Sequence, residues 1–184
     1  MPSTPALLIG LVLATAVLAP TASAEERSCR GSLGAVTVDN LRVPQNATCT
    51  LTGTRIKGTL KVERNATLVA RGIRTVGNVQ AENAKNVVVT ASSIGGSVQV
   101  EQGGAASVTS SRINGDIQYD ANRRYLKANR NRVGGSIQIV GNRGGAQIVR
   151  NVVIQNLECK QNRPAPTGSG NVVHGSKENQ CARL

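Results

Sequence analysis

The chain has 184 residues and a formal net charge of +12, yet it contains no Trp or Phe and only two Tyr. A globular core of this size normally uses several aromatic side chains. The composition therefore argues against an ordinary globular domain and favours a repeat fold whose core consists of stacked Val, Ile and Leu.

The first 24 residues predict an export signal. Small and apolar residues fill 6–19, and Ala22-Ser23-Ala24 forms a small-x-small cleavage site. The apolar run is shorter than the roughly 20 residues that a membrane-spanning helix needs, so a cleaved signal fits better than a membrane anchor. No second transmembrane run follows. We expect cleavage near Ala24 and a secreted, extracellular mature chain.

Four cysteines remain after this cleavage, and in an exported protein they predict disulfides. We expect the pairs Cys29–Cys49 and Cys159–Cys181, separated by 20 and 22 residues. Residues one repeat apart in a stacked fold lie roughly 4.8 Å from each other, which suits a disulfide. The alternative is a zinc site, which often uses CxxC spacing, and the sequence has no CxxC.

A repeat of 19–20 residues runs through the middle of the chain. Its anchor is the glycine of Ile56-Lys57-Gly58-Thr59-Leu60-Lys61-Val62, with a less regular copy near Gly34. The anchor recurs at Gly77, Gly96, Gly115, Gly135 and, with the glycine replaced, at Gln155. Apolar and polar residues alternate after each anchor, which predicts a strand with one buried face. Two further apolar stretches in each repeat predict three strands per coil.

These features predict an all-β fold, a right-handed parallel β-helix of about six or seven coils with disulfides at both ends. Frequent helix breakers argue against a helical repeat, and the period is too long for tandem hairpins. Leucine-rich repeats need more leucine, and left-handed β-helices use six-residue subrepeats. We expect a signal peptide (1–24), an N-terminal cap and first coil (25–57), regular coils (58–162) and a C-terminal loop and cap (163–184).

The repeat resembles right-handed parallel β-helix proteins. Its pattern Gly-x-(Ile/Val/Leu)-x-Val is also similar to the short coils of bactofilins, which are bacterial polymer-forming proteins. The resemblance covers Gly34 to Cys159. The export signal and the disulfides differ from bactofilins and resemble uncharacterised secreted bacterial proteins instead.

Equivalent residues of successive coils stack into columns, so the repeat predicts charged columns. An acidic column, a candidate Ca²⁺ site, comprises Asp39, Glu63, Glu82, Glu101 and Asp120. The basic columns, candidate anion-binding residues, are Arg123, Arg143 and Arg163; Arg112 and Arg132; and Arg130 and Arg150. Both kinds of column have a simpler interpretation as charged residues at solvated turns. The repulsion within the acidic column could be relieved by Lys61 or Arg64 as well as by Ca²⁺.

Amide side chains also form columns. Asn122, Asn142 and Asn162 precede the arginines, with Asn65 as a possible earlier member. We expect these amides to hydrogen-bond along the solenoid axis and to satisfy the turn backbone. A glutamine column predicts a similar ladder on the outer surface, and its members are Gln80, Gln99, Gln118 and Gln138.

The sequence favours a non-catalytic protein without a cofactor. It has no P-loop, GxSxG or HExxH motif. Only Asp116 and Asp120 form a close acidic pair near a strand of the repeat, and His174 has no evident partner. We therefore expect a secreted protein that binds an anionic polysaccharide or cell-wall polymer through the arginine columns, with nucleic acid a less suitable partner. The alternatives are a self-assembling surface protein and a polysaccharide lyase or hydrolase.

Overall fold

The computed structural model describes residues 25–184, and the predicted export signal lies outside them. The described residues form 25 short strands and no α-helix. None of the described segments is a helix long and apolar enough to cross a membrane.

The strands follow one another along the chain with short turns between them. In chain order they are β1 (Glu26–Ser28), β2 (Gly31–Leu33), β3 (Thr37–Val38), β4 (Asn40–Val43), β5 (Thr48–Thr52), β6 (Arg55–Ile56), β7 (Leu60–Val62), β8 (Thr67–Arg71), β9 (Arg74–Thr75), β10 (Val79–Glu82), β11 (Asn86–Thr90), β12 (Ser93–Ile94), β13 (Val98–Glu101), β14 (Ala105–Thr109), β15 (Arg112–Ile113), β16 (Ile117–Asp120), β17 (Leu126–Asn129), β18 (Arg132–Val133), β19 (Ile137–Val140), β20 (Ala146–Val149), β21 (Val152–Val153), β22 (Leu157–Lys160), β23 (Thr167–Ser169), β24 (Val172–Val173) and β25 (Lys177–Asn179).

Every third strand joins the same parallel sheet, so the chain winds into a β-solenoid. Sheet A has nine strands in the order β1-β4-β7-β10-β13-β16-β19-β22-β25. Sheet B has eight, β2-β5-β8-β11-β14-β17-β20-β23, and sheet C has eight, from β3 to β24. Each coil contributes one strand to each sheet. The predicted all-β parallel β-helix with three short strands per coil is therefore confirmed.

The core is a set of stacked apolar columns. In sheet A, Val79 pairs with Val98, and Ile117 pairs with Ile137. These side chains are fully buried. Alternate residues of each strand point inward, so the period-two pattern of the sequence fills the space between the three sheets.

Close contact between coils explains the anchor glycines. A Cβ on Gly77 would lie 2.7 Å from the carbonyl oxygen of Gly58 in the preceding coil. Gly77 N–H donates to that same oxygen at 2.9 Å. A side chain at position 77 would collide with the preceding coil, which accounts for the glycine there.

The solenoid has about eight turns, more than the six or seven predicted, because both ends continue the register. After Cys159 the chain forms a further coil, in which Thr167 pairs with Gln147 and Val172 with Val152. The sequence pattern fades there because Gly168, Lys177 and Asn179 stand at positions that hold apolar residues in the preceding coil. At the other end, Gly58 stacks on Asp39 rather than on Gly34.

Both predicted disulfides are confirmed, and each joins a terminal coil to its neighbour. The Cα–Cα distances are 5.7 Å for Cys29–Cys49 and 5.2 Å for Cys159–Cys181. All four cysteines are buried. The pairs therefore hold the two coils that have a neighbour on one side only.

The terminal strands of sheet A carry cations at positions that point inward elsewhere. Arg27 pairs with Leu41 at one end, and Lys177 pairs with Leu157 at the other. Both leucines are fully buried, so a coil added beyond either end would bury a charge. Inward-pointing charges of this kind protect sheet edges against further pairing.

Removing the second disulfide should loosen the last coil selectively. In the variant Cys159→Ser/Cys181→Ser, amide hydrogen exchange of residues 163–184 should accelerate by about two orders of magnitude, since closing a loop of this length stabilises by about 3 kcal/mol. Exchange mass spectrometry measures this. Cys29→Ser/Cys49→Ser is the matched control and should affect the first coil instead. Uniform acceleration along the whole chain in either variant would contradict this assignment.

Candidate anion-binding edges

The three sheets meet at three edges, and the predicted arginines lie on two of them. Here the BC edge denotes the turns from sheet B to sheet C together with the residues flanking them, and the AB edge denotes the turns from sheet A to sheet B. Arg112, Arg130, Arg132 and Arg150 lie on the BC edge, and Arg123, Arg143 and Arg163 lie on the AB edge.

The BC edge carries a longer arginine column than the sequence indicated. The first residues of successive sheet C strands pair in register, and they are Arg55, Arg74, Ser93, Arg112 and Arg132. All four arginines are exposed. Arg55 and Arg74 were missed because the repeat was traced from its glycines, although their 19-residue spacing was visible.

Three further arginines lie beside this column, of which Arg130 and Arg150 are equivalent residues of successive coils, whereas Arg71 is level with Asn129 and lies three coils away. Arg71 ends β8, and Arg130 and Arg150 occupy the corner itself with φ of 56° and 54°. Equivalent corner positions in other coils hold Gly53 and Gly72, also at positive φ. A side chain other than glycine or asparagine costs roughly 1–2 kcal/mol in this left-handed region. The backbone of the turn therefore does not account for the choice of arginine.

A buried polar ladder supports the BC edge from inside. Asn131 lies between Arg130 and Arg132, and its Nδ2 donates to the carbonyl of Val108 at 2.8 Å and to Oδ1 of Asn151 at 3.1 Å. The ladder consists of Ser92, Ser111, Asn131, Asn151 and Asn171. These hydrogen bonds fix the distance between successive coils at the corner. The sequence did not lead us to predict this ladder.

The predicted asparagine ladder supports the AB edge in the same way. Asn142 accepts at Oδ1 from the backbone N–H of Asn122 at 2.8 Å, and its Nδ2 donates to the carbonyl of Tyr119 at 2.9 Å and to Asn162 at 3.0 Å. Asn65 is not a member, because its amide donates to Asn46 on the surface.

The outer glutamine ladder is confirmed as well. Amide-to-amide hydrogen bonds of 3.2, 2.8 and 3.2 Å connect its members along sheet A. Sheet A therefore presents a flat polar face.

Charge is segregated around the solenoid. The ten acidic residues lie on sheet A or in the turns flanking it, and they are Glu25, Glu26, Asp39, Glu63, Glu82, Glu101, Asp116, Asp120, Glu158 and Glu178. The ion pairs of residues 25–184 lie on that side too, and they are Arg42 with Glu26 and Glu63, Lys57 with Asp39, and Lys160 with Glu158. Sheets B and C contain no carboxylate.

The BC edge is consequently a purely basic surface. Its seven exposed arginines are Arg55, Arg71, Arg74, Arg112, Arg130, Arg132 and Arg150. Among residues 25–184, none of these seven has a carboxylate within 4.0 Å. The protein itself does not neutralise this row.

The AB edge has a mixed charge. The backbone N–H of Arg143 donates to the carbonyl of Asn122 at 2.9 Å, and the backbone N–H of Arg163 donates to the carbonyl of Asn142 at 2.8 Å. This arginine column is therefore stacked as predicted. The acidic column runs along the same edge in the preceding coils, where Glu82 pairs with Glu101 and Glu101 with Asp120.

The acidic column begins at Glu63. Asp39 is not a member, because its carbonyl accepts from the backbone N–H of Gly58 and it therefore occupies the anchor position of its own coil. The backbone N–H of Gln45 and the guanidinium of Arg42 both donate to Glu63, and they hold the pKa of its carboxyl below the usual range. Within residues 25–184 no three His, Cys, Asp or Glu side chains are grouped to hold a metal ion. The Ca²⁺ site stays a prediction.

Asp116, one member of the acidic pair noted in the sequence, is hydrogen-bonded to the next coil. Asp116 Oδ1 accepts from the backbone N–H of Ser136 in the next coil at 2.7 Å. Asn40, Asn78 and Asn156 accept from the backbone at equivalent positions in other coils. Asp116 therefore acts as a rung of a third ladder, at the edge between sheets C and A.

No protein-family model matches the chain, and no curated protein or solved structure is significantly similar to it.

The buried ladders should dominate stability. Asn142→Ala would leave the N–H of Asn122 and the carbonyl of Tyr119 without partners, at about 1–3 kcal/mol for each buried group. We expect a loss of about 2–6 kcal/mol in the free energy of unfolding, measured by chemical denaturation. Asn114→Ala, at an exposed turn position, should change it by less than about 0.5 kcal/mol. Equal losses in the two variants would refute the role of the ladder.

Proposed function

We propose that the protein is a secreted, non-catalytic β-solenoid that binds an anionic polymer, an acidic polysaccharide or a cell-wall polyanion, along the BC edge. The observation that carries the proposal is the row of seven exposed arginines on a side of the molecule without carboxylates. A linear polyanion lying along the row would meet a guanidinium in nearly every coil it crosses.

Electrostatics supports a ligand on this edge. Arginines on neighbouring strands, about 4.8 Å apart along the sheet, repel by up to about 1 kcal/mol in water, less at physiological salt. A bound polyanion replaces that repulsion with attraction at each coil. Arginine also suits the task because its planar fork donates two parallel hydrogen bonds to a carboxylate, sulfate or phosphate.

Two observations support a non-catalytic role. The carboxylate of Asp116, one member of the acidic pair that the sequence offered, is already hydrogen-bonded to the backbone N–H of Ser136, which makes Asp116 and Asp120 a poor acid and base pair. The strands are joined by short turns, so the coils have no extended loops to build a substrate cleft.

The disulfides and the predicted signal support an extracellular location, since such bonds persist in oxidising compartments. Self-assembly by end-to-end stacking, the alternative, is opposed by the inward-position cations Arg27 and Lys177. A free rod with a basic edge remains the better description.

The polymer proposal is tested by retention on immobilised heparin, used as a general polyanion probe. Each arginine that contacts the polymer contributes about one to the slope of log affinity against log salt. Arg112→Gln/Arg132→Gln should therefore elute at lower salt and reduce that slope by about two.

The matched control is Lys61→Gln/Lys85→Gln, which removes the same charge from exposed positions away from the BC edge. It should leave the slope unchanged. Equal effects of the two double variants would mean that net charge, and not the BC edge, governs retention. Failure of the unaltered protein to bind at physiological salt would refute the proposed function.

A further inference from the structure

We infer that the polymer bound along the BC edge is a polyuronate, a chain with one carboxylate per sugar whose monomer repeat matches the coil spacing. The inference rests on the proposed function and names the ligand class for the same edge.

The arginine column has a fixed and uniform spacing. Arg55 pairs with Arg74, Arg74 with Ser93, Ser93 with Arg112, and Arg112 with Arg132, each as a Cα partner in a parallel ladder. Successive rungs are therefore one strand separation apart, about 4.8 Å. From Arg55 to the coil of Arg150 the row crosses five such intervals, about 24 Å.

A rigid row of this kind selects for the period of its ligand. The buried ladders at Asn131 and Asn151 hold the spacing of the coils, so only a ligand of the same period lets every arginine reach its anion in the same side-chain conformation. One pyranose of an extended, 1,4-linked chain advances by nearly one strand separation, and each sugar of a polyuronate carries one carboxylate. Such a chain keeps the same alignment at every coil.

Polymers with another charge period lose this alignment. One strand of B-form DNA places a phosphate about every 3.4 Å, so it falls out of register with the arginines after about two coils. Beside the column, Arg130 and Arg150 add two further guanidinium groups in successive coils.

One coil interrupts the row and offers a test by gain of function. Ser93 stands in the column, and the corner of its coil holds Ala91 and not arginine. The neighbouring coils carry Arg74 and Arg112 at the equivalent position, so an arginine fits the backbone there. Ser93→Arg would complete the column from Arg55 to Arg132.

The experiment is calorimetric titration with size-defined oligogalacturonates of 2 to 10 sugars at low salt. The affinity should rise with each sugar up to about six, the number of coils that the row spans, and then level off. Ser93→Arg should tighten binding of the hexamer about fivefold to tenfold, as expected for one added bidentate contact. Ser93→Gln, which adds a side chain without charge, should leave it unchanged.

A B-form DNA duplex with the same total number of charges is the comparison ligand. The inference predicts weaker binding of this ligand and little gain from Ser93→Arg. Equal binding of both ligand classes, with equal gains from Ser93→Arg, would overturn the period match while the proposed polyanion binding stands. Absence of binding to any oligouronate, together with retention on heparin, would also overturn the inference alone. Absence of binding to every polyanion would overturn both proposals.

Discussion

The fold depends on one constraint, which is that each coil must meet the next in register at every strand and every corner. Parallel backbone ladders set the coil spacing along the sheets. At the corners, where no strand pairs, buried amides take over this task. Asn142 contacts Asn122, Tyr119 and Asn162 in the neighbouring coils, so a coil of another length would leave several buried polar groups without partners.

This register determines the surface as well as the core. Because equivalent positions stack, any charge repeated at the coil period becomes a column. On sheet A the charges are mixed and partly paired, as for Arg42 with Glu26 and Glu63. On the BC edge the arginines have no such partners among the described residues. One face of the rod is therefore neutralised internally, and the opposite edge is suited to an external anion.

The sequence predicted the features that the register makes periodic. The glycines that allow close contact of the coils, such as Gly77, and the alternation of apolar residues in sheet A identified the fold and the coil length. The coil length in turn identified both disulfides, because Cys29–Cys49 and Cys159–Cys181 span about one coil each.

The features that were missed lack a periodic apolar signal or mix residue types. The last coil is held by backbone pairing and by Cys181, although the inward residue Lys177 is charged. The second ladder changes from serine to asparagine between Ser111 and Asn131, so no single residue type recurs. The edge with the highest charge was only partly predicted, because Ser93 interrupts the column between Arg74 and Arg112, although each of the four arginines of the column precedes an anchor glycine by three residues.

The most direct test of this account measures the register across the length of the BC edge. Spin labels on Arg55→Cys and Val172→Cys, both at exposed first positions of sheet C strands, lie six coil spacings apart. Double electron–electron resonance should give one narrow distance near 29 Å, from six intervals of about 4.8 Å. A broad distribution, or a distance that differs by more than about one coil spacing, would contradict the continuous register on which the arginine row depends.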